Sequence, residues 1–146
     1  MNIYDTDFYA WAKQQTLLLK NKHFSELDLD NLIDEVEALA RNEKKELKER
    51  LIPLLASFLI KQFIATKEDR NLRLTIDYQR LEFADFLAES PSLENEINDI
   101  IRTAYKLAIY QALQQYLEFD EKKFPKICPW DLPQILDENY YPNAEK

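Results

Sequence analysis

The chain has no glycine in 146 residues, and that absence narrows the available folds more than any motif does. Average usage of about 7% would supply roughly ten. Without glycine, the two-residue turns that close β-hairpins lose their best residue. Neither the Gly-rich phosphate loop nor the dinucleotide fingerprint can be built. The apolar residues point the same way: 22 Leu against a single Val favours helix over strand. The expected fold is all-α: four main helices in a bundle, a long central helix kinked at Pro53, and an ordered C-terminal arm.

The central helix is read from Asp28 to Thr66. Its apolar residues include Leu32, Ile33, Val36, Leu39, Ala40, Leu47, Leu51, Leu54, Leu55, Phe58, Leu59, Phe63 and Ile64. The steps between them are mostly three, four or seven, the spacing of one helix face. Asp28 is the expected N-cap, accepting the free N–H of Asn31. Between Arg41 and Arg50 the only large apolar residue is Leu47, so that stretch buries a narrow stripe, and pairs such as Glu46 and Arg50 support it. Thirty-nine residues at about 1.5 Å each make a rod of roughly 58 Å. Pro53 lacks an N–H and its ring crowds the carbonyl of Glu49, so a kink or a split is expected there, with Leu51–Ile64 in the core.

The other elements follow from caps and stripes. A first helix within residues 1–22 is capped by Asp5 or Thr6 and buries Phe8, Trp11, Ala12, Gln15, Leu18 and Leu19. Asn71 caps a third helix running to about Ala88, with Leu72, Ile76, Phe83, Phe86 and Leu87 on one side. Ser90 followed by Pro91 opens a fourth, running to about Glu118. Its stripe is Leu93, Ile97, Ile100, Ile101, Ala104, Ala108 and Ala112. From Phe119 onward Pro125, Pro129, Pro133 and Pro142 break the pattern, and only Leu132–Glu138 can form a short helix. That tail carries too many aromatic and aliphatic residues for disorder. The expected organisation is one helical domain over 1–146: a bundle over 1–118 and a Pro-rich arm, 119–146, packed on it.

Composition removes whole classes of function. A net charge of −8 argues against general nucleic-acid binding. One Cys and one His leave no Cys/His zinc site and no intrachain disulfide. No apolar run approaches the about 18 residues of a membrane span, and the opening residues have no signal-peptide pattern, so the expected location is the cytoplasm. His23 reads as a connector residue, and Cys128 as a packed thiol rather than a nucleophile.

Several blocks together carry a resemblance. They are Tyr4 with Asp7-Phe8-Tyr9-x-Trp11, Leu27-Asp28-x-x-Asn31-Leu32 with Glu35 and Glu37, Thr75-Ile76-x-x-Gln79-Arg80, Ser90-Pro91-Ser92-Leu93, and Phe124-Pro125 with Cys128-Pro129-Trp130. From about Tyr4 to Pro142 the chain resembles the domain of unknown function 29 family, small helical proteins common in cyanobacteria. The resemblance implies a helical fold and no assigned activity. Asn71-Leu72 stand where members often have Ser-Trp. The histidine that many members carry near the end of the central helix is missing around Ser57-Phe58-Leu59, so a His-dependent mechanism is not expected.

Within those blocks Asp7, Gln15, Glu35, Gln79 and Arg80 are polar residues set in apolar patterns. Two readings fit them. Glu35 and Arg80, with Gln79 beside them, grip a polar ligand; or Glu35 and Arg80 form a buried or half-buried ion pair that fixes helix register. Asp30, Asp34 and Glu37 share a helix face, but the Glu-x-x-His repeats of a di-iron bundle are missing, and a solvated face is the simpler account. The expected function is a soluble cytoplasmic helical interaction module with no catalytic residues, no metal and no cofactor. Its partner is another protein or a second copy of the chain, not nucleic acid and not a membrane. The alternative is a small-ligand-binding or enzymatic bundle built on Glu35, Gln79 and Arg80. A third reading, an acidic mimic of nucleic acid, rests on charge alone.

Overall fold

The computed structural model describes residues 2–143; position 1 and the last three positions of the 119–146 arm lie outside the described residues. No strand occurs among the described residues. The chain divides into two compact units, Met1–Asn42 and Glu43–Lys146.

In the first unit the chain makes a short helix α1 (Ile3–Thr6) and then α2 (Phe8–Lys20). The caps are Asn2 and Asp7 rather than Asp5 or Thr6: Asn2 accepts from the Tyr4 N–H, and Asp7 from the Ala10 N–H at 3.0 Å. Asp7 also closes α1 through its N–H to the Ile3 carbonyl. Its non-helical backbone (φ −152°, ψ 83°) splits the expected single helix, which moves the cap. The C-terminus of α2 shows how a glycine-free chain turns. Lys22 takes φ 57° in the left-handed slot that usually holds glycine, while His23 and Lys22 donate to the carbonyls of Leu18 and Leu19. Of the six-residue stripe expected on this helix, only Trp11 and Gln15 are buried; Phe8 is 50% and Leu19 47% exposed. After a 3₁₀ turn, Phe24–Glu26, helix α3 begins at Leu29.

Helix α3 spans Leu29–Leu59 and passes through Pro53 without a break, then widens into a π-helical turn, Ile60–Ile64. Pro53 and Glu49, whose carbonyl loses its helical donor, both border a surface cleft. The π turn closes with the Ala65 N–H on the Ile60 carbonyl at 2.7 Å.

The second unit is built around the C-terminal part of α3. Leu47, Leu51, Leu54, Leu55, Phe58 and Leu59 are fully buried. Helix α4 (Arg70–Glu89) contributes Ile76, Phe83 and Leu87, and α5 (Ile97–Gln115) contributes Ile100, Ala104, Tyr105, Ala108 and Ala112. The alanines leave room for the bulky leucines of α3. Asp69, not Asn71, caps α4, because its extended backbone aims one carboxylate oxygen at the N–H groups of both Asn71 and Leu72. Ser90 makes no helix-capping bond; its hydroxyl donates to Glu43. Pro91 then opens a 3₁₀ stretch, Pro91–Glu96, so the α-helix proper starts later than its Ser-Pro signal and stops at Gln115, short of Glu118. The charged middle of α3 is put to use here: Lys44 pairs with Glu96 and Asp99 of this segment, and Arg50 with Glu46 and with Glu82 of α4.

Beyond α5 the chain is tied down by aromatic and carbonyl contacts. Phe124 meets Phe63 edge-on, and Trp130 meets Phe58 edge-on with centroids 5.1 Å apart. The Tyr105 hydroxyl donates to the Pro125 carbonyl at 2.6 Å. A one-turn helix, α6 (Leu132–Leu136), is opened by a capping box between Asp131 and Gln134, and Ile135 is buried.

Candidate functional site

Arg80 occupies an apolar position of α4, in line with Ile76, Phe83 and Leu87, and is 3% exposed. A buried guanidinium needs partners, and it finds them in the C-terminal segment. Nε donates to the Ile135 carbonyl at 2.8 Å, and Nη2 to the Tyr140 carbonyl at 2.8 Å and the Gln134 carbonyl at 3.5 Å. Its Cζ lies 5.4 Å from the Phe58 ring centroid and 5.5 Å from that of Tyr141, which compensates part of the desolvation. Burial works against its charged form and lowers its pKa; the nearby Tyr141, Asp77, Asp137 and Glu138 oppose that shift. Nη1 is buried without a hydrogen-bond partner. Tyr141 closes the arrangement by donating its hydroxyl to Asp77, and Arg73 lies over its ring. Arg80 thus straps the Gln134–Tyr140 segment to α4 through backbone carbonyls.

Gln79, next in sequence, accepts from the buried Ser57 hydroxyl at 2.9 Å, a different partner set from that of Arg80. Glu35 belongs to the first unit, where it accepts from the Tyr4 hydroxyl at 2.6 Å; that bond raises the Tyr4 phenol to about 12. The hydrogen-bond partners of each lie within its own unit: backbone carbonyls for Arg80 Nε and Nη2, a phenol for Glu35.

Sequence reasoning assigned Asp28 only as a cap, and it is the hub of the first unit. Its carboxylate accepts from the Trp11 indole at 2.9 Å and from the Asn31 side-chain amide at 2.8 Å, while its N–H donates to Gln15 Oε1 at 2.9 Å. The bonds from Asn31 and then Trp11 hold the carboxyl below its ordinary value. A lowered carboxylate pKa stabilises the folded state above the ordinary value, about 3.9, and that contribution is lost as pH falls through the lowered one. The Trp11 indole N–H resonance is therefore expected to shift with a midpoint below the ordinary carboxylate value of about 3.9, with no such transition in Asp28→Asn. A midpoint at or above that ordinary value would contradict the hydrogen-bonded carboxylate.

The remaining chemistry-bearing groups do not converge. Cys128 lies half-buried beside a hollow of about 440 Å³ with Tyr105 and Trp130; burial pushes its thiol up to about 11, away from nucleophilic use at neutral pH. Among the described residues no group of three His, Cys, Asp or Glu side chains is placed to hold a metal. Asp30, Asp34 and Glu37 stand exposed along α3.

Large apolar side chains are, by contrast, exposed in number. Of the seventeen large hydrophobic residues exposed among the described residues, ten lie in Met1–Asn42: Phe8, Tyr9, Leu17 and Leu19 on α2, Leu29, Ile33, Val36 and Leu39 on α3, and Ile3 and Phe24 besides. A segment of this size has little interior of its own, but exposure on this scale exceeds the scattered hydrophobic residues of an ordinary surface. The periodicity of α3 was visible in the sequence; nothing in that pattern distinguishes a covered stripe from an uncovered one.

These features define a helical protein whose Gln134–Tyr141 segment is strapped to α4 and which exposes many large apolar side chains, and no helix among the described residues is long and apolar enough to cross a membrane. Across residues 3–141 the chain matches the family model described as Domain of unknown function DUF29, and it belongs to that family. No curated protein and no solved structure matches it.

Proposed function

We propose that the chain is a cytoplasmic protein–protein interaction module without catalytic activity, and that its working surface is the apolar face of the first unit. The observation that carries this is the concentration of large apolar side chains there, with Tyr9 74%, Val36 63% and Leu39 66% exposed. Exposed apolar side chains mark an interaction site where they form one patch. The test is a double substitution, Ile33→Ser with Val36→Ser. Exposed changes of this sort leave stability within about 0.5 kcal/mol each, so helix content and melting temperature stay near wild type. Self-association measured by light scattering, or a stoichiometric complex isolated from the native host, is expected to be lost. A complex of unchanged composition and yield would remove this face from the function.

The alternative, a small-ligand or enzymatic bundle using Glu35, Gln79 and Arg80, has one observation behind it: Arg80 borders a hollow of about 330 Å³ with Asp77, Leu136 and Tyr141. The engagement of Arg80 Nε and Nη2 by backbone carbonyls weighs against it.

A further inference from the structure

Leu29, Ile33, Val36 and Ala40 are spaced four, three and four apart on α3, so they form one strip along the helix. Seven residues beyond Ala40 the same strip continues as Leu47, Leu51, Leu54 and Phe58, every one of them 0% exposed. Upstream, Leu29 is 57%, Ile33 52% and Val36 63% exposed. One helix face thus serves as core surface at one end and meets solvent at the other. The uncovered part spans eleven steps of about 1.5 Å, three turns, the footprint of another helix.

Charge selects the occupant. One flank of the strip carries Asp30, Asp34 and Glu37, spaced four and three, all exposed and all without an ion-pair partner among the described residues. Arg41 is the one cation that follows on that flank before the helix turns into its mixed-charge middle. A second copy laid antiparallel on this strip is related by a two-fold axis that brings like flank onto like flank, so the two acidic rows would oppose each other. An anionic lipid surface meets the same repulsion. A helix with Lys or Arg beside its apolar ridge meets attraction on the flank and burial on the strip, the helix-in-groove mode of recognition.

We infer that the Leu29–Ala40 face of α3 docks a basic amphipathic helix of a partner protein. This rests on the interaction function proposed above and names the partner's chemistry.

The probe is a fluorescein-labelled 18-residue peptide with Leu at helical spacing and Lys on both flanks; its control carries Glu in place of Lys. Anisotropy is read with the full chain in about 0.05 M and about 0.5 M salt, since attraction of this kind is screened. The Lys peptide is expected to bind at low salt. Binding is expected to weaken at least tenfold at high salt and in the triple variant Asp30→Asn, Asp34→Asn, Glu37→Gln, and to vanish in Ile33→Ser with Val36→Ser. A matched neutralisation elsewhere, Asp85→Asn, Glu89→Gln, Glu94→Gln, is expected to leave affinity within twofold. If both triple variants weaken binding alike, the attraction is to the net charge of −8 and the site falls. If the Glu peptide binds as well as the Lys peptide, the basic partner falls while the apolar interaction face stands. A doubled mass in light scattering that Ile33→Ser with Val36→Ser abolishes makes the occupant a second copy. If neither peptide binds and the strip variant changes neither mass nor complex formation, both proposals fall.

Discussion

Arg80→Met is expected to lower stability by about 3–5 kcal/mol and to loosen the chain beyond Phe119. The side chain donates well-formed bonds to the carbonyls of Ile135 and Tyr140, both at 2.8 Å. A hydrogen bond to a charged group contributes about 1.5–3 kcal/mol net, and an acceptor left buried and unserved costs a similar amount. Methionine keeps the apolar bulk against Phe58 and Tyr141, so the loss reads the bonds rather than a cavity. Arg80→Lys is expected to recover only part of it, because one ammonium cannot reproduce a planar fork aimed at two carbonyls. Urea unfolding followed by circular dichroism gives the free energy. Trypsin cleavage at Lys122, Lys123 and Lys126 reports the arm. A stability within 1 kcal/mol of wild type, with cleavage unchanged, would show that the strap is held by its aromatic contacts alone.

The same residue shows what a sequence can and cannot disclose. An arginine in line with Ile76, Phe83 and Leu87 announces itself as a polar residue in an apolar stripe, and its burial was legible. Its partners were not, because they are main-chain carbonyls more than fifty positions away, and a carbonyl has no sequence signature. Glu35 offered a complementary charge on paper, yet its partner is the Tyr4 phenol. Caps failed for a related reason. Asp69 and Asn71 are both competent, and the choice falls to the one whose backbone is extended. Pro53 removes one helical hydrogen bond, but the packing of Leu51, Leu54 and Leu55 around it carries the helix through. The all-helical class needed none of these details, because it follows from the missing glycines and the leucine excess.

Phe58→Ala and Val36→Ala are expected to separate two parts of one helix by a wide margin. Phe58 is fully buried and meets Trp130 and Tyr140 edge-on, with Arg80 over its ring. Truncating a buried Phe costs about 3–5 kcal/mol through lost transfer energy and the cavity left behind, and broken aromatic pairs add about 0.5–1.5 kcal/mol each. The arm loses its docking ring in the same step, so tryptic cleavage at Lys126 should accelerate together with the fall in melting temperature. Val36 is 63% exposed on the same strip of α3, and its truncation should change stability by no more than about 0.5 kcal/mol. Thermal unfolding of the two variants at low protein concentration decides the matter. A cost above about 1.5 kcal/mol for Val36→Ala would mean that the strip is already covered in the free protein, which would remove the apolar face as a docking surface. A small cost beside a large one for Phe58→Ala would mean that the N-terminal apolar residues of α3 contribute little to the fold, and a role in binding then accounts for a helix that places leucine, isoleucine and valine in water.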